Sequence, residues 1–157
     1  MKRRIEARGL AKWQEGMRNK STLKWYRNKE KPEKIQFHVG DWSSRLLVKV
    51  RTGTLEVKAR NREEENQDCS SCSRGVRETV EHFLVECDRY DEERAWLIRK
   101  VMEEIGQLEW DRRLLEVENG GELTVLGLYQ EERQSVREKI IRVTKDFLVK
   151  AWNRRIS

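Results

Sequence analysis

A mainly α-helical fold is predicted by three features of this sequence. Apolar residues recur at helical spacing, most clearly within residues 132–155, where they are spaced four, three, four and four apart. This set consists of Val136, Ile140, Val143, Phe147 and Ala151. The 157 residues include one proline and nine glycines, too few for a loop-rich protein. All three cysteines and one of the two histidines lie within residues 69–87, which indicates one metal site stapling a small core.

The predicted helices can be placed from spacing, capping residues and breakers. Residues 3–19 form a short basic helix, and a polar connection follows from Ser21 to Pro32. Ser43 and Ser44 are candidate caps for a helix that carries Leu46, Leu47 and Val50. The later elements are a short helix over 78–86, a helix from about Asp88 or Asp91 to Gly106, a turn at 119–121, and the longest helix over 132–155.

Residues 46–59 are compatible with two structures. We favour a helix–turn–helix, in which Thr52 and Gly53 form the turn. The alternative is a short β-hairpin near 46–59, because apolar and charged residues alternate on both sides of the same turn.

The ligand spacing Cys69-x2-Cys72-x9-His82-x4-Cys87 predicts a structural zinc site. Thiolate sulfur and imidazole nitrogen suit Zn²⁺, and four protein ligands leave no open position for catalysis. Free thiols at metal spacing favour a reducing compartment, so a nuclear or cytoplasmic protein is expected. The first residues lack the apolar stretch of a secretory signal, and no run of about 18 apolar residues predicts a membrane-spanning helix.

Charge is distributed unevenly along a chain that we expect to form a single domain, residues 1–157. Residues 1–60 contain 17 basic and 6 acidic residues, residues 61–131 contain 9 and 19, and residues 132–157 contain 8 and 3. We divide the predicted domain into a basic helical arm and lead-in (1–60), a zinc unit (61–90) and a helical C-terminal part (91–157).

The basic arm predicts binding to a polyanion, with nucleic acid as the expected partner. Lysine and arginine neutralise phosphates, and exposed aromatic rings can stack on unpaired bases. The candidate contact residues are Arg3, Arg4, Arg8, Lys12, Arg18, Lys20, Lys24, Trp25, Tyr26, Arg27, Lys29 and Lys31, with Lys2, Trp13 and Lys34 beside them. The alternative is that the basic and acidic segments pair with each other.

Three stretches around the ligands resemble the C-terminal zinc-binding region of reverse transcriptases from non-LTR (LINE-type) retrotransposons. They are Ser21–Tyr26, Arg51–Arg60, and Glu78-Thr79-Val80-Glu81-His82-Phe83-Leu84-Val85-Glu86-Cys87 followed by Tyr90. Together with Cys69 and Cys72 they span most of residues 10–100. The resemblance implies a nuclear protein whose cysteine–histidine region helps bind RNA or target DNA, as a segment of a larger polyprotein or as a freestanding descendant.

The chain departs from that family because it carries no polymerase domain, so we expect no enzymatic activity. Nine residues separate Cys72 from His82, whereas four separate the corresponding ligands of the retroviral zinc knuckle. We therefore do not expect this chain to bind single-stranded guanines in the way that the knuckle does. One alternative function is a protein-interaction or oligomerisation module. The least favoured is a metal-dependent nuclease, in which Asp41, Glu56 and Lys58 would act together.

Overall fold

The structure is a computed structural model that describes residues 2–27, 29–30, 32, 40–130 and 132–157, without the side chains of residues 2–5. Helical residues make up 68% of it, which confirms the predicted fold class. The described α-helices are α1 (Lys2–Arg18), α2 (Trp42–Arg51), α3 (Asp91–Ile105), α4 (Gln107–Glu116), α5 (Gly120–Val125) and α6 (Gln134–Ile156). Shorter helical segments are the 3-10 turns Ser21–Tyr26, Lys58–Arg60 and Asp88–Tyr90, and the π-helix His82–Glu86.

The N-terminal cap of α2 is Asp41, two residues before the predicted serines. Its carboxylate accepts hydrogen bonds from the backbone N–H of Ser44 at 2.6 Å and from the hydroxyl of Ser43 at 2.8 Å. These bonds hold the pKa of Asp41 down at about 2. An ionised aspartate satisfies a free amide of the first turn and interacts favourably with the positive end of the helix, so it replaces serine as the cap.

The β-hairpin considered for residues 46–59 is not formed, because residues 46–51 are the second half of α2. The amides of Thr54 and Leu55 both donate to the carbonyl of Lys49, which ends the helix in a tight turn. Beyond that turn, the predicted second helix is reduced to the 3-10 turn Lys58–Arg60. Leu55 and Val57 are buried on an irregular segment, which explains their alternating pattern.

Helix α6 lies at the centre of the core and packs against α2 and α3. Ile140, Phe147 and Ala151 of the predicted stripe are fully buried. The aromatic ring of Phe83 meets Tyr90 and Trp152 edge to face, with ring centroids 5.1 and 5.8 Å apart. Phe83 lies within the cysteine–histidine segment 69–87 and Trp152 lies in α6, so these contacts couple the folding of that segment to the last helix.

Two features between α3 and α6 differ from the prediction. Helix α4 was not expected, and its Leu108, Leu114 and Leu115 are exposed. The glycines of the expected turn at 119–121 instead begin α5, and a side chain at Gly120 would meet the carbonyl of Arg113. No helix in the described part of the chain is both long and apolar enough to cross a membrane.

Candidate metal centre and basic surfaces

The first two predicted ligands lie in a tight loop between paired backbone segments. Asp68 and Arg77 form an isolated antiparallel bridge, and the amide of Cys69 donates to the carbonyl of Val76 at 2.8 Å. Gly75 adopts a positive φ of 59° in this loop, a conformation that glycine reaches without the steric cost of a side chain. The resulting turn directs Cys69 and Cys72 to the same side.

The other two ligands are brought together by the π-helix His82–Glu86. The amide of Cys87 donates to the carbonyl of His82 at 2.8 Å, which is the five-residue bond of a π-turn. In an ordinary α-helix, side chains five residues apart point about 140° away from each other. The wider turn, followed by the extended backbone of Cys87, lets both side chains reach one centre.

The ligand atoms of Cys69, Cys72, His82 and Cys87 all lie within 4.8 Å of one another, so the four residues could hold one metal ion. The sulfurs of Cys69 and Cys87 are 3.8 Å apart, too far for a disulfide, and all three thiols are free. The Nε2 atom of His82 lies 3.4 Å from the sulfur of Cys72. The predicted ligand set is therefore assembled in the fold.

Three of the four candidate ligands are buried. Cys69, His82 and Cys87 are 6%, 1% and 0% exposed, and Cys72 is half-buried. Burial, together with the neighbouring thiols of Cys69 and Cys72, raises the pKa of Cys87 to about 12. Several thiolates can share such a space only beside a cation, which a bound metal ion would supply.

The Nδ1 atom of His82 points away from the thiols toward Glu86, whose carboxylate oxygen lies 3.5 Å away. That distance is too long for a hydrogen bond, and the buried Nδ1 has no closer hydrogen-bond partner. A carboxylate beside the second nitrogen of a ligand histidine fixes its orientation, as outer partners of metal sites do. Glu86 is the carboxylate placed to take that role if the gap to Nδ1 closes, and the ligand spacing alone did not identify it.

The residues just before His82 connect the segment that carries the four candidate ligands, residues 69–87, which we call the metal loop, to the rest of the fold. The Thr79 hydroxyl accepts a hydrogen bond from the amide of His82 at 3.0 Å. Glu81 forms an ion pair with Lys24 at 2.7 Å. Glu78, 2% exposed, accepts two hydrogen bonds from Arg155. Sequence reasoning treated these residues as part of a family motif and missed their contacts.

The predicted nucleic-acid contacts divide into two groups. The exposed residues Arg8, Lys12, Arg18, Lys20 and Arg27 form no ion pair with any described residue. Lys24 instead pairs with Glu81, and the ammonium of Lys29 lies 5.7 Å from the ring centre of Tyr26. Arg3 and Arg4 belong to α1, but their side chains lie outside the described residues, as does Lys31 altogether.

Two predicted stacking residues, Trp25 and Tyr26, belong to the core. Their exposed fractions are 5% and 8%, so neither ring offers a free face to a nucleic-acid base. Burial raises the pKa of the Tyr26 hydroxyl, although the nearby Arg51 guanidinium opposes the change. The sequence could not separate these rings from exposed ones, because both lie in a short 3-10 segment without helical periodicity.

A cavity of about 540 Å³ lies between the 3-10 segment Ser21–Tyr26 and the metal loop. We call it the basic cavity, because Lys24, Arg60, Arg62 and Arg77 line it against the single carboxylate of Glu81. Three of these cations lie outside the predicted basic arm or at its end. The signal for them was the placement of arginines on both sides of the acidic loop 63–68.

The residues of the nuclease alternative are engaged separately. Asp41 caps α2, and Glu56 pairs with Lys49 at 2.7 Å. Among the described residues, neither belongs to a group that could hold a metal ion.

Comparison of the chain with protein-family models, with curated proteins and with solved structures finds no match.

Proposed function

We propose that this protein is a non-catalytic, zinc-dependent nucleic-acid-binding module. The zinc ion would hold the loop 69–87 in place, and cationic side chains would contact phosphates. Descent from the C-terminal region of a LINE-type reverse transcriptase is part of this proposal, and it rests on the sequence motif alone.

The ligand geometry supports zinc as the metal. A tetrahedral centre with Zn–S distances of about 2.3 Å places two sulfurs about 3.8 Å apart, and a sulfur and a nitrogen about 3.6 Å apart. The corresponding distances are 3.8 Å between Cys69 and Cys87 and 3.4 Å between Cys72 and His82. Three cysteines and one histidine without an open position are typical of structural zinc sites.

The pattern of ion pairs is the observation that carries the nucleic-acid proposal. Acidic residues of the middle segment pair with cations near the C-terminus, as in Glu78–Arg155, Glu93–Arg154 and Glu104–Lys139. Meanwhile five exposed cations of the arm, Arg8, Lys12, Arg18, Lys20 and Arg27, have no such partner among the described residues. Positive charge that the fold leaves unneutralised favours a polyanion from outside.

Fluorescence anisotropy with single-stranded RNA, duplex DNA and nicked duplex DNA tests this function. The zinc-loaded chain should bind at least one of them, with log affinity falling linearly as log salt rises. The variant Arg8→Gln/Lys12→Gln should lower the slope by about 1.5, since each lost phosphate contact contributes about 0.7 to 0.9. The charge-matched variant Arg99→Gln/Arg142→Gln, on α3 and α6, should leave it unchanged. Affinity that does not change with salt would exclude the electrostatic mechanism.

A second candidate function, self-association, is favoured by one specific observation on α4. Leu108 and Leu115 are each 86% exposed and lie seven residues apart on one face of the helix. The midpoint between them falls between Asp111 and Arg112. An antiparallel second copy would thus pair leucine with leucine and aspartate with arginine. Sedimentation of the wild type and of Leu108→Ser/Leu115→Ser tests this. If the wild type forms a dimer through α4, the variant should be monomeric.

A further inference from the structure

The basic cavity has three walls drawn from separate parts of the sequence. Ser21, Thr22 and Lys24 form one wall, residues 53–62 form the second, and Arg77 to Glu81 form the third. The first two walls approach each other closely at Gly53. This residue has a positive φ of 62°, and an added side-chain carbon would lie 3.0 Å from the carbonyl oxygen of Thr22. The third wall runs directly into the metal ligand His82.

The charge of the cavity is not balanced from within. Its one carboxylate, Glu81, is already paired with Lys24 at 2.7 Å. Among the described residues, Arg60 and Arg77 donate to the backbone carbonyls of Gly53 and Ala59, at 3.2 and 3.3 Å, and a neutral acceptor does not cancel their charge. Glu56 attracts Arg60 without forming an ion pair with it, because it pairs with Lys49 instead. Arg62 makes no hydrogen bond or ion pair with a described residue, and all three guanidiniums are exposed. Exposed guanidiniums can bind phosphate oxygens in pairs of hydrogen bonds.

The floor of the cavity is apolar, unlike a simple surface patch of charge. Val57, Val80 and Trp25 line it and are 4%, 7% and 5% exposed. The hydroxyls of Ser21 and Thr22 lie in the first wall and are exposed. The cationic rim and the hydroxyls match the phosphate and sugar of a nucleotide, whose base would be enclosed by the cavity walls without stacking on the buried ring of Trp25. A volume of about 540 Å³ is within the range of small-molecule sites.

We propose that the basic cavity receives one nucleotide of a single-stranded nucleic acid, with Arg60, Arg62 and Arg77 holding its phosphate. This inference rests on the proposed nucleic-acid binding and names the place where a strand is held. A base in a duplex is stacked and paired and cannot enter such a cavity, whereas an unpaired one can. Because the third wall ends at His82, metal loading would help to hold this wall, and with it Arg77, in place.

The test measures binding of the full zinc-loaded chain to a labelled ten-nucleotide oligo-U or oligo-dT, to a duplex of equal length, and to uridine monophosphate and inorganic phosphate as competitors. Wild type should prefer the single strand to the duplex. Arg60→Gln/Arg62→Gln should weaken oligonucleotide binding at least about tenfold, the value of one lost charge-assisted hydrogen bond. The matched pair Arg99→Gln/Arg142→Gln should change it less than about twofold. Arg62→Gln alone serves if circular dichroism shows the double variant unfolded.

Protection from phenylglyoxal, read by mass spectrometry, locates the strand independently of substitution. The oligonucleotide should protect Arg60, Arg62 and Arg77 more than Arg99 and Arg142. If wild type binds the single strand but the cavity pair behaves like its matched control, the cavity inference fails while nucleic-acid binding stands. Preference for the duplex also overturns the inference. Absence of all nucleic-acid binding refutes both proposals.

Discussion

Glu78 and Arg155 form a bidentate ion pair that connects the metal loop to the last turn of α6. The Nε and terminal amino groups of Arg155 donate to the two carboxylate oxygens of Glu78, each at 2.8 Å. The same carboxylate accepts the amide of Lys58 at 2.8 Å. Three segments far apart in sequence therefore meet at one buried carboxylate, which positions both the metal loop and the second wall of the basic cavity.

We predict that Arg155→Gln lowers the free energy of unfolding by about 3 kcal/mol, because it leaves the charge of Glu78 buried without its partner. Urea unfolding of the zinc-loaded chain measures this. The control is the adjacent Arg154→Gln, whose ion pair with Glu93 is 37% and 17% exposed. It should cost less than about 1 kcal/mol. Equal effects of the two variants would show that the Glu78 contact has no special role.

The same ion pair predicts an acid-sensitive stability. Burial alone would raise the pKa of Glu78, but the hydrogen bonds from Arg155 and from the Lys58 amide outweigh it, and the pKa lies below the ordinary value of 4.5. The stabilising contribution is then complete above the unfolded-state pKa and is lost as the pH falls through the lower folded-state pKa. Unfolding free energy should fall from pH 5 to pH 3, and less steeply in Glu78→Gln than in wild type.

Metal removal should unfold the loop that carries the ligands. We expect about one zinc ion per chain in the purified protein, and a loss of ordered structure over residues 66–90 after chelation, since metal binding and local folding are coupled. Hydrogen exchange with and without chelator measures the loop, and elemental analysis measures the metal. Cys87→Ser should lose the metal and Ser73→Ala, an exposed neighbour in the same loop, should keep it. Full metal content in Cys87→Ser would refute the predicted site.

Trp25 is predicted to act in folding and not as a stacking platform. Trp25→Ala should destabilise the protein by about 3 to 5 kcal/mol, because the ring is 5% exposed. Trp42, which is 44% exposed, provides the matched control and should cost less than about 1 kcal/mol when replaced by alanine. Thermal unfolding of both variants decides between them. A stable Trp25→Ala chain that binds oligonucleotide poorly would restore the stacking hypothesis.

The sequence predicted elements whose signal is local and periodic. The stripe of α6 and the four ligand positions follow from spacing, and both meet that expectation in the fold. It failed where long-range contacts decide the structure. The residues around Val57 alternate between apolar and charged as they would in a strand, although the segment is irregular and Val57 is buried in the core. The burial of Trp25 likewise depends on residues that are distant in the sequence. No local sequence pattern predicts the ion pair between Glu78 and Arg155, which are 77 residues apart.

Gly127, at the junction of α5 and α6, should not tolerate a side chain. It has a φ of 66°, and an added side-chain carbon would lie 2.6 Å from Cγ1 of Ile141 and 3.1 Å from a guanidinium nitrogen of Arg51. Gly127→Ala combines left-handed backbone strain with overpacking, so we expect a loss of about 2 to 4 kcal/mol in urea unfolding. Gly16→Ala is the control, because Gly16 lies inside α1 with open space around it. Alanine there should leave stability equal or raise it by up to about 1 kcal/mol, since alanine is the better helix former. If Gly127→Ala proved as stable as Gly16→Ala, the close packing of this turn against α6 would be wrong.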